Sequence, residues 1–310
     1  MSTRADHHHD VVIVGGGPAG ISAALECHDI NLDTIVLEGS RRVGGQLSEI
    51  PHSVRNLAAG RFENGPALQA ALERSSAILA DRLVVGHEVT GVSLGDGWVE
   101  AGSTRFHARA LLIATGSARQ ALAAAPDGAF GGDVTYQVES RPGHFSGRDV
   151  VVIGGGDSAT LDALELAATA SSVKLVHRSE RLSARQDIVE RLRRDRRIED
   201  LPGWEVESTI GTDRLEAVVL VRAATGERRR VATGGLIVKI SRLPRTAAFR
   251  GQLELDGRQA VVVDRALQTS VPGAFAAGDV VAGSYWRVAT AFGQGVLAAR
   301  SILRHVEATR

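Results

Sequence analysis

One cysteine, Cys27, stands among the 310 residues. No disulfide can close within this chain, and no pair of thiols can be assembled from it. Cys27 follows Gly20 in a stretch of helical pattern, which reads as a small core hydrophobe rather than a reactive thiol. Sparse cysteine also makes a cytoplasmic location the expectation. Charge of one sign is missing as well: 36 Lys and Arg balance 36 Asp and Glu. That balance gives no reason to expect nucleic acid or a membrane surface as partner. No apolar run approaches the roughly 18 residues that a membrane span needs. The opening MSTRADHHHD lacks the apolar segment of a secretory signal, and its His7, His8 and His9 read as a polar leader. His28, His52, His87, His107 and His144 are scattered. With no cysteine cluster beside them, no metal site is expected.

What is present is glycine in two ordered clusters. Residues 10–38 read DVVIVGGGPAGISAALECHDINLDTIVLE. Val11 to Val14 form a β-branched run suited to a strand buried on both faces. Gly15, Gly17 and Gly20 follow at G-x-G-x-x-G spacing, Ile21 to Cys27 fit a helix, and Thr34 to Leu37 form a second strand that ends in Glu38. The first glycine permits a tight turn, the second a close backbone approach to a pyrophosphate, and the third close packing of helix on strand. The helix N-terminus then faces the phosphates, and Glu38 can accept hydrogen bonds from a ribose. The pattern recurs at 149–178, with Gly154, Gly156 and Ala159 in the three positions and Val173 to Val176 as the following strand. There the position matching Glu38 is His177, followed by Arg178. An acid suits a free ribose hydroxyl, whereas basic groups tolerate the 2′-phosphate of NADP. The chain therefore carries two dinucleotide sites of different character.

Near the C-terminus, Phe275 to Ala277 look like a short strand ending in Gly278-Asp279, whose carboxylate can accept from a polyol such as the ribitol of FAD. Residues 288–304 read as a helix with its N-terminus directed at the flavin pyrimidine. LLIATG at 111–116 is another apolar strand, and it suits a crossing between domains. A hairpin is expected around Thr225-Gly226, and the charged run at 190–200 reads as a solvated helix face.

Taken in order, VVIVGGGPAG, GGQL at 44–47, ATG at 114–116, VVVIGGGDSA, VHR and TSVPGAFAAGDV at 269–280 resemble the low-molecular-weight thioredoxin reductase family of pyridine-nucleotide flavoproteins. The resemblance covers nearly the whole chain. It implies an α/β fold of two Rossmann-like, three-layer ββα nucleotide-binding domains. The FAD domain would comprise 10–119 and 247–310, with the NAD(P) domain, 120–246, inserted in it. It implies FAD with NADPH or NADH as cofactors, and a homodimer. To FAD it assigns Gly15, Gly17, Pro18, Ala19, Gly20, Glu38, Gly45, Gln46, Leu47, Asn56, Thr115, Gly116, Gly278, Asp279 and Val288. To NAD(P) it assigns Gly154, Gly156, Asp157, Ser158, Ala159, His177 and Arg178.

The departures are as informative. The family places Cys-x-x-Cys just after a tyrosine, and here Gln137 and Ser140 stand at those positions. A disulfide passes electrons by thiolate attack and exchange, which neither an amide nor a hydroxyl can do. In HRSERLSAR, Ser179 and Ser183 replace two of the arginines that grip the 2′-phosphate, leaving Arg181 or Arg185 to compensate. The usual Ala-x-Gly at the exit of the nicotinamide domain is Lys239-Ile240-Ser241, and the usual Arg-Gln-Ala at the flavin edge is Trp286-Arg287-Val288. The expected activity is an FAD-dependent oxidoreductase that passes electrons from NAD(P)H through FAD directly to a ferredoxin-like protein or a small molecule. His52, Trp286 and Arg287 are the flavin-edge candidates for contact with that acceptor. Two other readings stay open: an oxidase or dehydrogenase of an organic substrate with a vestigial NAD(P) domain, and a non-catalytic flavin-binding redox sensor.

Overall fold

Val11, Val12, Ile13 and Val14 have no polar atom to offer beyond the backbone, and their strand carries layers on both faces. The first three are fully buried and Val14 nearly so. In the computed structural model, residues 5–141, 143–240 and 242–309 are described, with Ala5 and Ser140 described through their backbone alone. Ser241 lies outside the described residues.

The chain divides into two compact units, Met1–Ala118 with Leu243–Arg310, and Arg119–Arg242. In the first, the strand Ala5–Val14 pairs in parallel with Thr34–Glu38 on one side and Thr104–Ile113 on the other, in the registers Val12↔Ile35 and Val12↔Leu111. Leu83–Val85 extends the sheet beyond Thr34–Glu38, and Ala274–Ala276 joins in parallel to Thr104–Ile113. The helices Pro18–Asp29 and Val288–Ala308 cover one face, where Val11, Ile13, Ala23, Cys27, Ala298 and Ile302 share a core. The antiparallel hairpin Val89–Ser93 and Trp98–Ala101 supplies the other layer, setting Leu94, Val99 and Ala101 against Val12, Val14, Ile35 and Leu37. This is a three-layer ββα unit. The histidine run is part of it rather than a leader. His7 stacks on Phe106 at 5.6 Å, His8 on His107 at 4.9 Å, and His9 Nδ1 lies 2.9 Å from Asp33. The strand therefore begins earlier than its apolar run.

The second unit repeats the plan. Five parallel strands lie in the order Val134–Thr135, Gly235–Val238, Asp149–Ile153, Ser172–His177 and Ile198–Pro202. The helix Asp157–Leu166 and the helix Gln186–Arg194 build one core with Val150, Val152, Val173 and Leu175. An antiparallel sheet of Trp204–Gly211, Leu215–Arg222 and Arg228–Ala232 builds the other, against Val151, Ile153 and Val176. The expected hairpin around Thr225-Gly226 is the Leu215–Arg222 and Arg228–Ala232 pair. The charged run at 190–200 is helical only to Arg194. Asp195 is extended there and accepts from the Arg197 amide, and the chain then enters the strand Ile198–Pro202. Among the described residues no helix is long and apolar enough to cross a membrane.

Candidate functional site

Each parallel sheet ends in a glycine turn at the carboxyl edge of its central strand, where open α/β sheets bind ligands. Gly15 takes φ +110°, a region L-residues avoid, and turns the chain directly off its strand. A Cβ on Gly20 would overlap the Gly15 carbonyl oxygen, so the helix Pro18–Asp29 sits this close only because glycine is there. Gly17 is bare: nothing lies within 4 Å of the place a Cβ would take. It begins its helix with no side-chain cap, which leaves the first helical amides to an anion. Glu38 is nearly buried, and its two oxygens accept from the Gly16 and Ser40 amides, each at 2.7 Å. Those bonds fix the carboxylate, and each oxygen keeps a lone pair for a ribose hydroxyl. An open backbone, a free helix end and a fixed acid fit the pyrophosphate and ribose of a dinucleotide.

The second turn has the same construction. Gly154 takes φ +136°, and a Cβ there would overlap the Lys239 carbonyl oxygen. Only the Ser183 hydroxyl, at 3.9 Å, comes near the open side of Gly156, which also starts its helix without a side-chain cap. Ala159 is buried where the first turn has its third glycine. The ribose end differs. His177 is buried, and its Nε2 lies 2.8 Å from Asp200 Oδ1. Arg178 and Ser158 are exposed. Asp157 accepts from the Arg185 amide at 2.8 Å, and the Arg185 side chain pairs with Asp157 at 3.5 Å and Asp187 at 3.9 Å. Of the two arginines expected to compensate, Arg185 is thus held by carboxylates, and Arg181 is exposed.

Back in the first unit, the Gln46 amide donates to Ser117 Oγ at 3.0 Å and to Asp279 Oδ2 at 3.3 Å, bridging two segments far apart in sequence. Gly45 and Gly17 meet, since a Cβ on Gly45 would lie 3.5 Å from the Gly17 Cα. The Thr115 hydroxyl donates to the Arg245 carbonyl at 2.7 Å, beside Gly116. The Gly278 amide donates to Gln294 Oε1 at 2.7 Å. Gln294 and Ser117 were not legible as site residues, because the first lies inside an ordinary helical stretch and the second is one serine among many. Leu47 is buried in a cluster against which Val288 packs. Asn56 is exposed on the strand Val54–Leu57, and His52 is half-buried just before it. Trp286 is 38% exposed and Tyr285 is 82% exposed, immediately before Arg287 starts the helix Val288–Ala308.

Just before Gln137, the Tyr136 hydroxyl accepts from the Leu122 amide at 2.6 Å. The Gln137 amide then donates to Thr135 Oγ1 at 3.1 Å as it opens the short helical turn Val138–Ser140. Cys27 is buried in the Pro18–Asp29 helix. Burial, aided by the Glu26 carboxylate, pushes its thiol up to about 11 against the hydrogen bond with Thr34. A thiol-specific reagent at pH 8 should therefore label no thiol in the folded protein, before or after reduction by a nicotinamide, and one on unfolding. Labelling of the folded protein within minutes would overturn this assignment.

A family model described as pyridine nucleotide-disulphide oxidoreductase matches residues 9–295. The chain is 32% identical over 314 residues to a thioredoxin reductase of Listeria innocua, covering 96% of this chain and 94% of that protein. It is 28% identical over 293 residues to a 34.2 kDa protein in a rubredoxin operon of Clostridium pasteurianum, covering 94% of each. Among solved structures, thioredoxin reductase from Lactococcus lactis superposes with a TM-score of 0.86 at 28% identity, over 97% of this chain and 99% of that one.

Proposed function

Since this chain belongs to the pyridine nucleotide-disulphide oxidoreductase family, and so is an FAD-dependent oxidoreductase linked to a pyridine nucleotide, we propose that it hands electrons directly from flavin to an acceptor. The observation that carries this reading is the state of sulfur. The only thiol is buried and held protonated by its surroundings, and an amide stands where the first thiol of a dithiol would be. A bound FAD would supply the chemistry that accepts a hydride from a nicotinamide and donates electrons onward, and the protein's part is to hold and shield it.

The residues then divide by task. Gly15, Gly17, Gly20 and the free end of the Pro18–Asp29 helix hold the FAD pyrophosphate, and Glu38 holds the adenosine ribose. Gln46, bound to Asp279 and Ser117, orients the Asp279 carboxylate toward the ribitol. Gly154, Gly156 and the Asp157–Leu166 helix hold the second dinucleotide, with Arg178 at its ribose end. The exposed Tyr285-Trp286-Arg287 segment offers an aromatic and cationic face to the acceptor. A small redox protein of the ferredoxin or rubredoxin kind fits that face, and the rubredoxin operon of one relative supports it. A homodimer and a cytoplasmic location complete the reading, both on family grounds and the latter also on cysteine usage.

Anaerobic mixing with NADPH and with NADH tests it. Loss of the flavin absorbance within seconds is expected with at least one of them. Reoxidation should then follow addition of a ferredoxin or a quinone, but should not depend on thioredoxin. No bleaching by either nucleotide would sink the reading. Bleaching instead by an organic substrate, with peroxide formed on admitting air, would establish the oxidase alternative.

A further inference from the structure

Lys239 and Asp162 form an ion pair inside the second unit, with the ammonium nitrogen 2.8 Å from the Asp162 Oδ2. The lysine side chain is 12% exposed and the aspartate 1%. Charges of both signs are costly to bury, and a lysine so enclosed is uncommon. Its place in the fold is specific. Lys239 directly follows the strand Gly235–Val238, its amide donates to the Ile153 carbonyl at 2.8 Å, and its own carbonyl is the atom that confines Gly154. Asp162 projects from the Asp157–Leu166 helix, whose N-terminus is the free anion end. The pair thus sits at the carboxyl edge of the sheet, next to the glycine turn.

Strand order decides which half of a dinucleotide comes over it. By the general rule for such sheets, a pyrophosphate would lie at the end of Asp149–Ile153, above the helix N-terminus, and an adenosine ribose at the end of the neighbouring Ser172–His177. Gly235–Val238 is the neighbour on the opposite side. A dinucleotide running across the turn therefore places its nicotinamide half over Lys239. Among the described residues, the ammonium has Asp162 as its partner, and it has three protons to donate. A nicotinamide riboside offers acceptors for the others in its ribose hydroxyls and its carboxamide oxygen.

The geometry points to Lys239, oriented by Asp162, as a specificity-determining residue that binds the nicotinamide half of the pyridine nucleotide. This rests on the proposed use of NAD(P)H. Asp162 acts as a positioning residue: it holds the ammonium at the edge and lets a cation persist there at all.

The test is binding to the oxidised, FAD-loaded protein, read by calorimetry, with two probes. One is NADP+ and the other is 2′-phospho-ADP-ribose, which lacks the nicotinamide. Lys239→Met leaves Asp162 buried without its cation, which can unfold the unit, so Lys239→Met/Asp162→Asn, which removes both charges, is made beside it. For the double variant, NADP+ binding should weaken by about 10- to 100-fold, the range of hydrogen bonds from a charged donor, while the fragment binds as to wild type. Asp162→Asn alone should weaken NADP+ less, again sparing the fragment. Equal weakening of both probes, or of neither, would overturn the assignment and leave the use of NAD(P)H intact. Should the wild type bind neither probe, the series is run with NAD+ and ADP-ribose, read in the same way; failure of the wild type to bind any of the four would instead remove the pyridine nucleotide reading, and the inference with it.

Discussion

Gly20→Val should yield a protein that is purified almost without flavin, with well under a tenth of the FAD content of the wild type. A side chain at this position would overlap the Gly15 carbonyl oxygen, with Ile13 close behind. The helix Pro18–Asp29 must then move off the strand Ala5–Val14. Overpacking of this kind costs roughly 1–3 kcal/mol of stability. It also displaces the helical amides that would meet the pyrophosphate. Gly17→Ala makes the comparison sharp. Nothing lies within 4 Å of its new methyl group, and Gly17 already has φ −74°, so the flavin-free fold should be as stable as that of the wild type. The methyl nevertheless fills the space a phosphate needs, so FAD should again be lost. The two variants therefore agree in flavin content and differ in urea stability measured without FAD. Full flavin occupancy in Gly17→Ala would mean that the pyrophosphate does not approach this backbone.

The parts of the fold that the sequence shows well are those where one residue type has one physical use. Gly15 and Gly154 sit at positive φ against a carbonyl oxygen, and a β-branched run precedes each. Glu38 is also of this kind, since an acid at the end of a strand beside a glycine turn has the nearby amides to accept from. His177 is not. In sequence it stands at the ribose position with Arg178, as though both faced a phosphate. In the structure it is buried against Asp200, because the chain after Arg194 returns as a strand beside Ser172–His177. That strand, Ile198–Pro202, carries Glu199 and Asp200 within a run of charges, so neither hydrophobic period nor length marks it. His7 to His9 were opaque for a related reason. Their place in a strand depends on Phe106, His107 and Asp33, which only the parallel register brings beside them. Gln46 and Gln294 show the same limit. Gln46 is a bridging amide whose partners Ser117 and Asp279 come from distant parts of the chain, and Gln294 caps the Gly278 amide across the turn that precedes its own helix.

The second large effect is expected at Asp133, a residue with no part in binding. It is 1% exposed and accepts from four groups. Arg148 donates to Oδ1 at 2.7 Å and Arg214 to Oδ2 at 2.8 Å, the Leu215 amide donates to Oδ2 at 3.1 Å, and His144 Nε2 lies 2.9 Å from Oδ1. One carboxylate thereby ties two segments to the edge strand Val134–Thr135 that leads into Gln137, the approach to the Asp149–Ile153 strand and the start of the Leu215–Arg222 strand, while the backbone carbonyl of Asp133 accepts from the Leu236 amide. Burial alone would raise the carboxyl, but the hydrogen bonds from Arg214, Leu215, His144 and Arg148 outweigh it and hold the group down at about 2. Asp133→Asn keeps the shape but presents an amide donor to these donors. Arg214 and Arg148 retain access to water, which moderates the loss, so about 3 kcal/mol is expected rather than the upper end for a broken buried pair. The sign of the pH dependence follows from the lowered value. Stability from Asp133 is complete above its ordinary 3.8 and disappears as pH falls through about 2. Asn does not titrate, so wild type and variant should differ fully in urea melts at pH 6 and converge as the melts are repeated from pH 4 toward pH 2. A difference that stays constant over that range would show that the carboxylate charge is not what holds these segments together.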